Sequence, residues 1–304
     1  MFPLIRIQSS AAEAVEYLGT KAKFWYRNDD RLMLFKAEER GTGEDWAEKI
    51  ACELAALIGL PHVHYEMAFD ADQQRPGVVC ASFTPPPLAL AHGNQLLLAL
   101  DPTYPGDPGQ HYQSRAHTID AVFAAVHLLD MPAPHWRTDL PEQITTAVGV
   151  FAGYLMLDAW IANQDRHHEN WGAVWDGKDL SLAPSFDHGA AMARNLSDEE
   201  RDERLHSRDR NRRIPHFIQR ARSALYADPM VSNPLSTLGA WRMFGVRVPV
   251  AAAVWRHRLA QVETVAVEAI LNRIPSDRMS AVCRQFTLDL LAENRRRILG
   301  SEEP

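Results

Sequence analysis

The sequence predicts an α+β protein of two unequal lobes, a small β-rich one over residues 1–83 and a larger, mostly helical one over 84–304. Three observations carry this. Short strand-like apolar runs crowd the region before Phe83 around a single helical segment. The Pro-rich stretch Thr84-Pro85-Pro86-Pro87 then breaks the pattern as a hinge would. Beyond it the apolar residues recur mainly at the helical period. A chain of 304 residues with 46% hydrophobic content has enough apolar side chains to fill the cores of two lobes sharing a cleft.

Taken in order, strands are expected at 23–26, 31–37, 64–69 and 77–83, and a helix at 43–58. That helix sets Trp46, Ile50, Leu54 and Leu57 on one face, and Gly59-Leu60-Pro61 stops it. A Gly/Pro-rich loop at 101–109 precedes helices at 118–130 and 142–163. The second of these is apolar around most of its circumference, so it belongs inside the larger lobe. Strands at 171–175 and 180–183 follow, joined by Asp176-Gly177-Lys178, a good hairpin turn because Gly tolerates positive φ. Past a charged segment at 198–222 the rest reads as helical, and 241–299 is expected to close the large lobe.

Composition narrows the partners. The net charge of -7 and pI near 6.0 give no global positive field, and direct nucleic-acid binding is not expected. Cys52, Cys80 and Cys283 are odd in number, scattered and set in apolar sequence, which suits reduced, buried thiols better than a disulfide framework or a zinc site. Residues 1–10 do not read as a signal peptide, and the longest apolar stretch, 148–162, is interrupted by Asp158 and too short to span a bilayer. A cytoplasmic protein without a membrane partner is expected.

The chemistry gathers where the buried helix ends. Asn163-Gln164-Asp165-Arg166-His167-His168-Glu169-Asn170 is followed by the hairpin and then by Ser185-Phe186-Asp187-His188-Gly189. The hairpin folds its two ends together, so Asp165, Asn170 and Asp187 can converge although Asp187 lies 17 residues after Asn170. Phosphoryl transfer needs such a set: a carboxylate to orient the attacking hydroxyl and take its proton, and hard oxygen ligands for Mg²⁺. Asp165 fits the base, and Asn170 and Asp187 fit the metal ligands. An Asp five residues before an Asn is weak on its own, because turns are rich in both; the hairpin and Phe-Asp-x-Gly give it context.

Asp165-Arg166-His167-x-x-Asn170, the hairpin and Phe186-Asp187-x-Gly189 together resemble the catalytic and metal-binding loops of HipA-like kinases and phosphatidylinositol kinases. In that branch of the protein-kinase fold the His-Arg-Asp order of eukaryotic protein kinases is replaced. Leu32-Met33-Leu34-Phe35-Lys36 resembles the strand that carries the phosphate-binding lysine, and Glu48-x-x-Ala51-x-x-Leu54-Ala55-x-x-Ile58-Gly59-Leu60-Pro61 resembles the helix after it. The resemblance spans about 19–189, and the 241–299 region is also similar to HipA-like tails in Phe286-x-x-x-Leu290-Leu291-x-x-Asn294-Arg295.

The resemblance implies a protein-kinase-like two-lobe fold, ATP and Mg²⁺ as cofactors, and Ser/Thr protein phosphorylation. Lys36 would sit on the α- and β-phosphates, braced by a helix glutamate: Glu48 in the family register, with Glu53 left open because it falls on the apolar stripe. The loop 18–23, with Thr20, Lys21 and Lys23, stands where phosphates are covered, although it has one glycine and reads equally as a plain hairpin loop. Adenine would lie against 80–83, including Ser82 and Phe83. His167 and His168 lack the i, i+4 spacing of a helical metal pair, and Arg166 suits an orienting role. The arginines at 208, 210, 212, 213, 220 and 222 could dock an anionic substrate, or form a solvated face. Some HipA proteins are toxins held by a DNA-binding antitoxin, but this sequence starts almost directly at the nucleotide lobe, which leaves an antitoxin partner open. A small-molecule or lipid alcohol kinase and a non-catalytic nucleotide-binding module are the alternatives.

Overall fold

The computed structural model describes residues 1–15, 22–38, 41–105 and 114–300. A six-stranded sheet is built from β1 (Leu4–Ile7), β2 (Ala14–Val15), β3 (Lys23–Asn28), β4 (Arg31–Ala37), β5 (Tyr65–Asp70) and β6 (Arg75–Ala81), in the order β1-β5-β6-β4-β3-β2. β1 pairs parallel with β5, and every other neighbour is antiparallel. β1 and β2 were not legible in sequence. Each is at most four residues long and sits at a sheet edge, where one neighbour rather than an apolar pattern fixes it.

Helix α1 (Glu44–Leu57) crosses between β4 and β5 and packs on β5 and β6. Gly59, at φ +72°, ends it in the left-handed conformation that a Cβ would strain. Burial runs almost unbroken from Glu44 to Ala55, while Leu57, expected on the apolar face, is exposed. The period placed Leu57 correctly on the helix; what covers the last turn is a tertiary matter.

The second lobe opens with β7 (Ala89–His92), which joins β8 (Gly172–Trp175) and β9 (Leu180–Leu182) in a three-stranded sheet of order β7-β8-β9. Helices α2 (Gly93–Leu100), α3 (Ile119–His127), α4 (Ala147–Ile161), α5 (Asp198–His206), α6 (Ile214–Phe217), α7 (Thr237–Gly245), α8 (Pro249–Ala260), α9 (Thr264–Asn272) and α10 (Ala281–Leu299) complete it. All of α4 is buried, against α3, α7, α8 and α10. It starts later than expected because Thr146 caps it, its hydroxyl accepting from the Gly149 N–H at 3.2 Å. Phe286, Leu290 and Leu291 of α10 are buried in the core that α4 centres. Among the described residues no helix is long and apolar enough to cross a membrane, and all three cysteines are free and buried.

Candidate active site

Strand alternation sets the upper wall of the site. On β3 and β4 the side chains of Phe24, Tyr26, Phe35 and Ala37 pack on one face of the sheet with Val79 of β6. The period of two therefore turns Lys23, Trp25, Leu34 and Lys36 to the other face, where they line a cleft of ≈ 1140 Å³. Lys36 is buried, and its ammonium meets Asp187 Oδ1 at 3.2 Å, the Tyr65 hydroxyl at 3.2 Å and Glu48 Oε2 at 3.7 Å. Burial opposes its charge, but Asp187 and then Glu48 outweigh burial, so the Lys36 pKa lies well above the ordinary lysine value.

Of the two α1 glutamates, Glu48 is the one beside Lys36. Glu53 pairs instead with Lys49 at 2.7 Å, which relieves the cost of a carboxylate near the apolar stripe. Burial raises the Glu48 pKa, but Lys36 and then His188 lower it by more, leaving a net depression. Its Oε1 accepts the backbone N–H of His188 at 2.7 Å, so one side chain joins α1 to the loop after Phe186. Asp187 has φ +59°, a left-handed conformation that Asp tolerates better than most residues. That turn sends the Asp187 carboxylate to Lys36 and the next N–H to Glu48.

The lower wall is the 163–170 loop. Asn163 caps it, its Oδ1 accepting from the Asp165 N–H at 3.3 Å. Asn170 Nδ2 donates to the Asp165 carbonyl at 2.7 Å and lies 3.5 Å from Asp165 Oδ2. The two ends of the loop are thereby tied together. Arg166 is buried beneath, bridging both Asp158 oxygens at 2.8 Å, Ser185 Oγ at 3.0 Å and the Asn170 carbonyl at 3.1 Å. The rings of His167 and His168 lie at 88° to each other: His167 faces Asp165 at 3.7 Å, whereas His168 Nδ1 meets the Tyr104 hydroxyl at 2.7 Å.

Asp165, Asn170, Asp187 and Lys36 line the same cleft, as do Cys80, Ala81, Ser82 and Phe83. The Phe83 ring lies 5.4 Å from that of Phe186, so the end of the 80–83 segment touches the loop that carries Asp187 directly. The Ser82 N–H is spent on the Leu32 carbonyl at 2.8 Å. Glu48 stands behind Lys36 rather than in the cleft wall. Thr20 and Lys21 lie outside the described residues; Lys23 lines the cleft.

The donor chemistry fits a hard cation such as Mg²⁺. Because the Asn170 amide nitrogen is committed to Asp165, its Oδ1 is the atom left for a ligand, and Asp187 adds an anionic oxygen. Sequence reading did not pick out Tyr65, Asp158 or His188 as part of the site. Asp158 had a signal, being the one carboxylate inside an otherwise apolar helix, which demands a buried cation.

No family model matches the sequence, and no curated protein matches it. Solved structures do. The proinflammatory kinase CtkA of Helicobacter pylori superposes with a TM-score of 0.73 at 17% identity, over 98% of this chain and 96% of its own. HipA of Shewanella oneidensis MR-1, solved with HipB and operator DNA, superposes with a TM-score of 0.59 at 11% identity, over 94% of this chain and 67% of its own. The chain therefore has the two-lobed α+β kinase fold, in the form that CtkA and HipA share.

Proposed function

We propose that this protein is an ATP- and Mg²⁺-dependent phosphotransferase, a HipA-like Ser/Thr protein kinase in which 1–83 grips the nucleotide and 84–304 carries the catalytic loops. One observation carries the reading: a single cleft has the braced Lys36 on one wall and Asp165, Asn170 and Asp187 on the other. Its volume, ≈ 1140 Å³, exceeds the ~300–1,000 Å³ typical of small-ligand pockets and leaves room for an acceptor beside a nucleotide.

In this reading Lys36, held cationic by Asp187 and Glu48, binds the α- and β-phosphates, and the 80–83 segment, with Ser82 and Phe83, flanks the base. Asn170 and Asp187 would hold Mg²⁺, which when bound would supply charge neutralisation across the phosphates. Asp165 orients the acceptor hydroxyl and accepts its proton. Asn170 fixes that carboxylate's loop through the Asp165 carbonyl. An apolar flank of Phe83 and Phe186 limits water at the base side.

Incubation with γ-labelled ATP and Mg²⁺, with lysate split into protein and small-molecule fractions, tests the reading. Label on protein, absent with Asp165→Ala, is expected; label only on small molecules would move the assignment to an alcohol kinase. Asp165→Ala should cut turnover ~10²–10⁴-fold with nearly unchanged nucleotide affinity, because a general base acts on the hydroxyl. Asp187→Ala should weaken Mg-ATP binding as well as turnover, and normal affinity measured by calorimetry would count against its metal role.

A further inference from the structure

Outside the cleft, one cluster has the composition and the preset geometry of a metal site. Cys52 lies on the inner side of α1, and His62 and His64 stand in the lead-in to β5. Their ligand atoms all fall within 4.8 Å of one another. The pair Cys52 Sγ and His64 Nδ1 is 3.6 Å apart, which matches the separation of about 3.6 Å between S and N ligands of a tetrahedral Zn²⁺ with ordinary bond lengths.

Each histidine already has the partner that such a ligand needs on its other nitrogen. His62 Nδ1 is 2.6 Å from the Leu60 carbonyl and must donate to it, which leaves Nε2 with a lone pair. His64 Nε2 is 2.7 Å from Glu66 Oε1, and donation to that carboxylate leaves Nδ1 as the lone-pair nitrogen, on the Cys52 side. Glu66 is itself held by Lys49 at 3.1 Å. Thus carboxylate and carbonyl partners orient both rings before any ion arrives.

We propose that Cys52, His62 and His64 form a binding site for a thiophilic divalent cation of the Zn²⁺ class, with solvent as fourth ligand on the exposed His64 side. Burial pushes the Cys52 thiol up to about 12, so without a cation the sulfur stays protonated; on binding, the S–H bond is replaced by an S–metal bond and the proton goes to solvent. Burial also lowers the His62 pKa, keeping that imidazole neutral and able to bind a cation. The ion would fasten α1 to the segment in which Val63 donates to the Ser185 carbonyl at 2.9 Å and Ser185 to the Pro61 carbonyl at 2.9 Å. Soft S and N donors separate this site from the oxygen donors of Asn170 and Asp187.

The test uses the full chain, stripped by a chelator and held in excess Mg²⁺ so that oxygen-donor sites are filled. Zn²⁺ is titrated by calorimetry, and Co²⁺ serves as the optical probe. One equivalent should bind, Co²⁺ should give a sulfur-to-metal charge-transfer band, and Zn²⁺ should raise the thermal midpoint. Cys52→Ala should abolish the band. His64→Gln, at an exposed position, should weaken Zn²⁺ by about 100-fold, and Glu66→Gln by ~10–100-fold. A band that survives in Cys52→Ala, unchanged affinity in His64→Gln, or no saturable Zn²⁺ binding by the wild type would each overturn the proposal. None of these readouts depends on phosphotransfer.

Discussion

Two buried cations stand on either side of the same loop and meet at one residue, His188. Lys36 reaches it through Glu48, which accepts the His188 backbone N–H; Arg166 reaches it through the ring, 3.2 Å from Nε2, beside Ser185. Yet their surroundings differ. Arg166 and Asp158 are closed off, their side chains 2% and 4% exposed, and the guanidinium donates to Asp158, Ser185 and the Asn170 carbonyl. Lys36 looks into the cleft beside Asp187, whose side chain is 24% exposed. The difference teaches that one cation organises the loops and the other stands on the wall of the open cleft. A planar guanidinium with fixed donors suits the closed network, and a compact ammonium held by carboxylates suits the cleft wall.

Breaking the closed pair should have the largest effect. Arg166→Met leaves Asp158 as a buried, uncompensated charge and should cost about 3–5 kcal/mol in urea unfolding, a large share of a typical domain's stability. Adding Asp158→Leu removes the stranded charge and should recover part of that loss. If the single variant unfolds like wild type, Arg166 is not what holds the two loops.

Lys36→Met should be milder, about 1–3 kcal/mol, because Asp187 opens on the cleft and Glu48 keeps its His188 N–H. Its main cost should be in nucleotide binding, read by calorimetry with Mg-ATP. The comparison also has a pH signature. The Glu48 pKa is depressed in the fold, so its contribution to stability is present above the usual glutamate pKa and is lost as pH falls through the folded value. Without the Lys36 charge that depression shrinks, and the acid side of the stability profile should flatten in Lys36→Met.

The sequence exposed the members of these networks unequally. Lys36, Asp165, Asn170 and Asp187 stand in motifs with local spacing, on a strand and on two loops flanked by elements that the sequence marks clearly. Phe-Asp-x-Gly and Asp-Arg-His-x-x-Asn could be read without knowing the fold. Tyr65 and His188 could not, because their roles come from β5 facing β4 across β6 and from the φ +59° turn at Asp187, which brings an N–H rather than a side chain to Glu48. The choice between Glu48 and Glu53 likewise depended on where Lys49 sits, a buried cation that claims Glu53. Cys52, His62 and His64 went unseen as a group for a similar reason. Their spacing matches no short metal motif, and only the return of the chain from α1 into β5 sets them together. Arg194, which meets Glu44 and Thr42 across the cleft mouth, is another contact made by tertiary folding alone.

The smallest effect belongs to a buried imidazole that serves neither cation. His117 Nδ1 faces the Ala224 carbonyl at 2.8 Å and Nε2 accepts from the Trp171 indole N–H at 3.1 Å, so the ring is a neutral Nδ1–H tautomer with both nitrogens used. Burial drives its pKa down to about 3, against an ordinary value of 6.5. The unfolded chain therefore binds a proton that the folded chain refuses, and stability falls as pH drops below about 6.5, continuing toward the folded value. For one such group the loss at pH 5.5 should be about 1.4 kcal/mol, a window above most carboxylate titration. Urea midpoints of wild type and His117→Gln at pH 7.5 and 5.5 check it: the variant should lose that part of the slope, and equal slopes would mean that the ring is protonated in the fold, with the Trp171 contact broken.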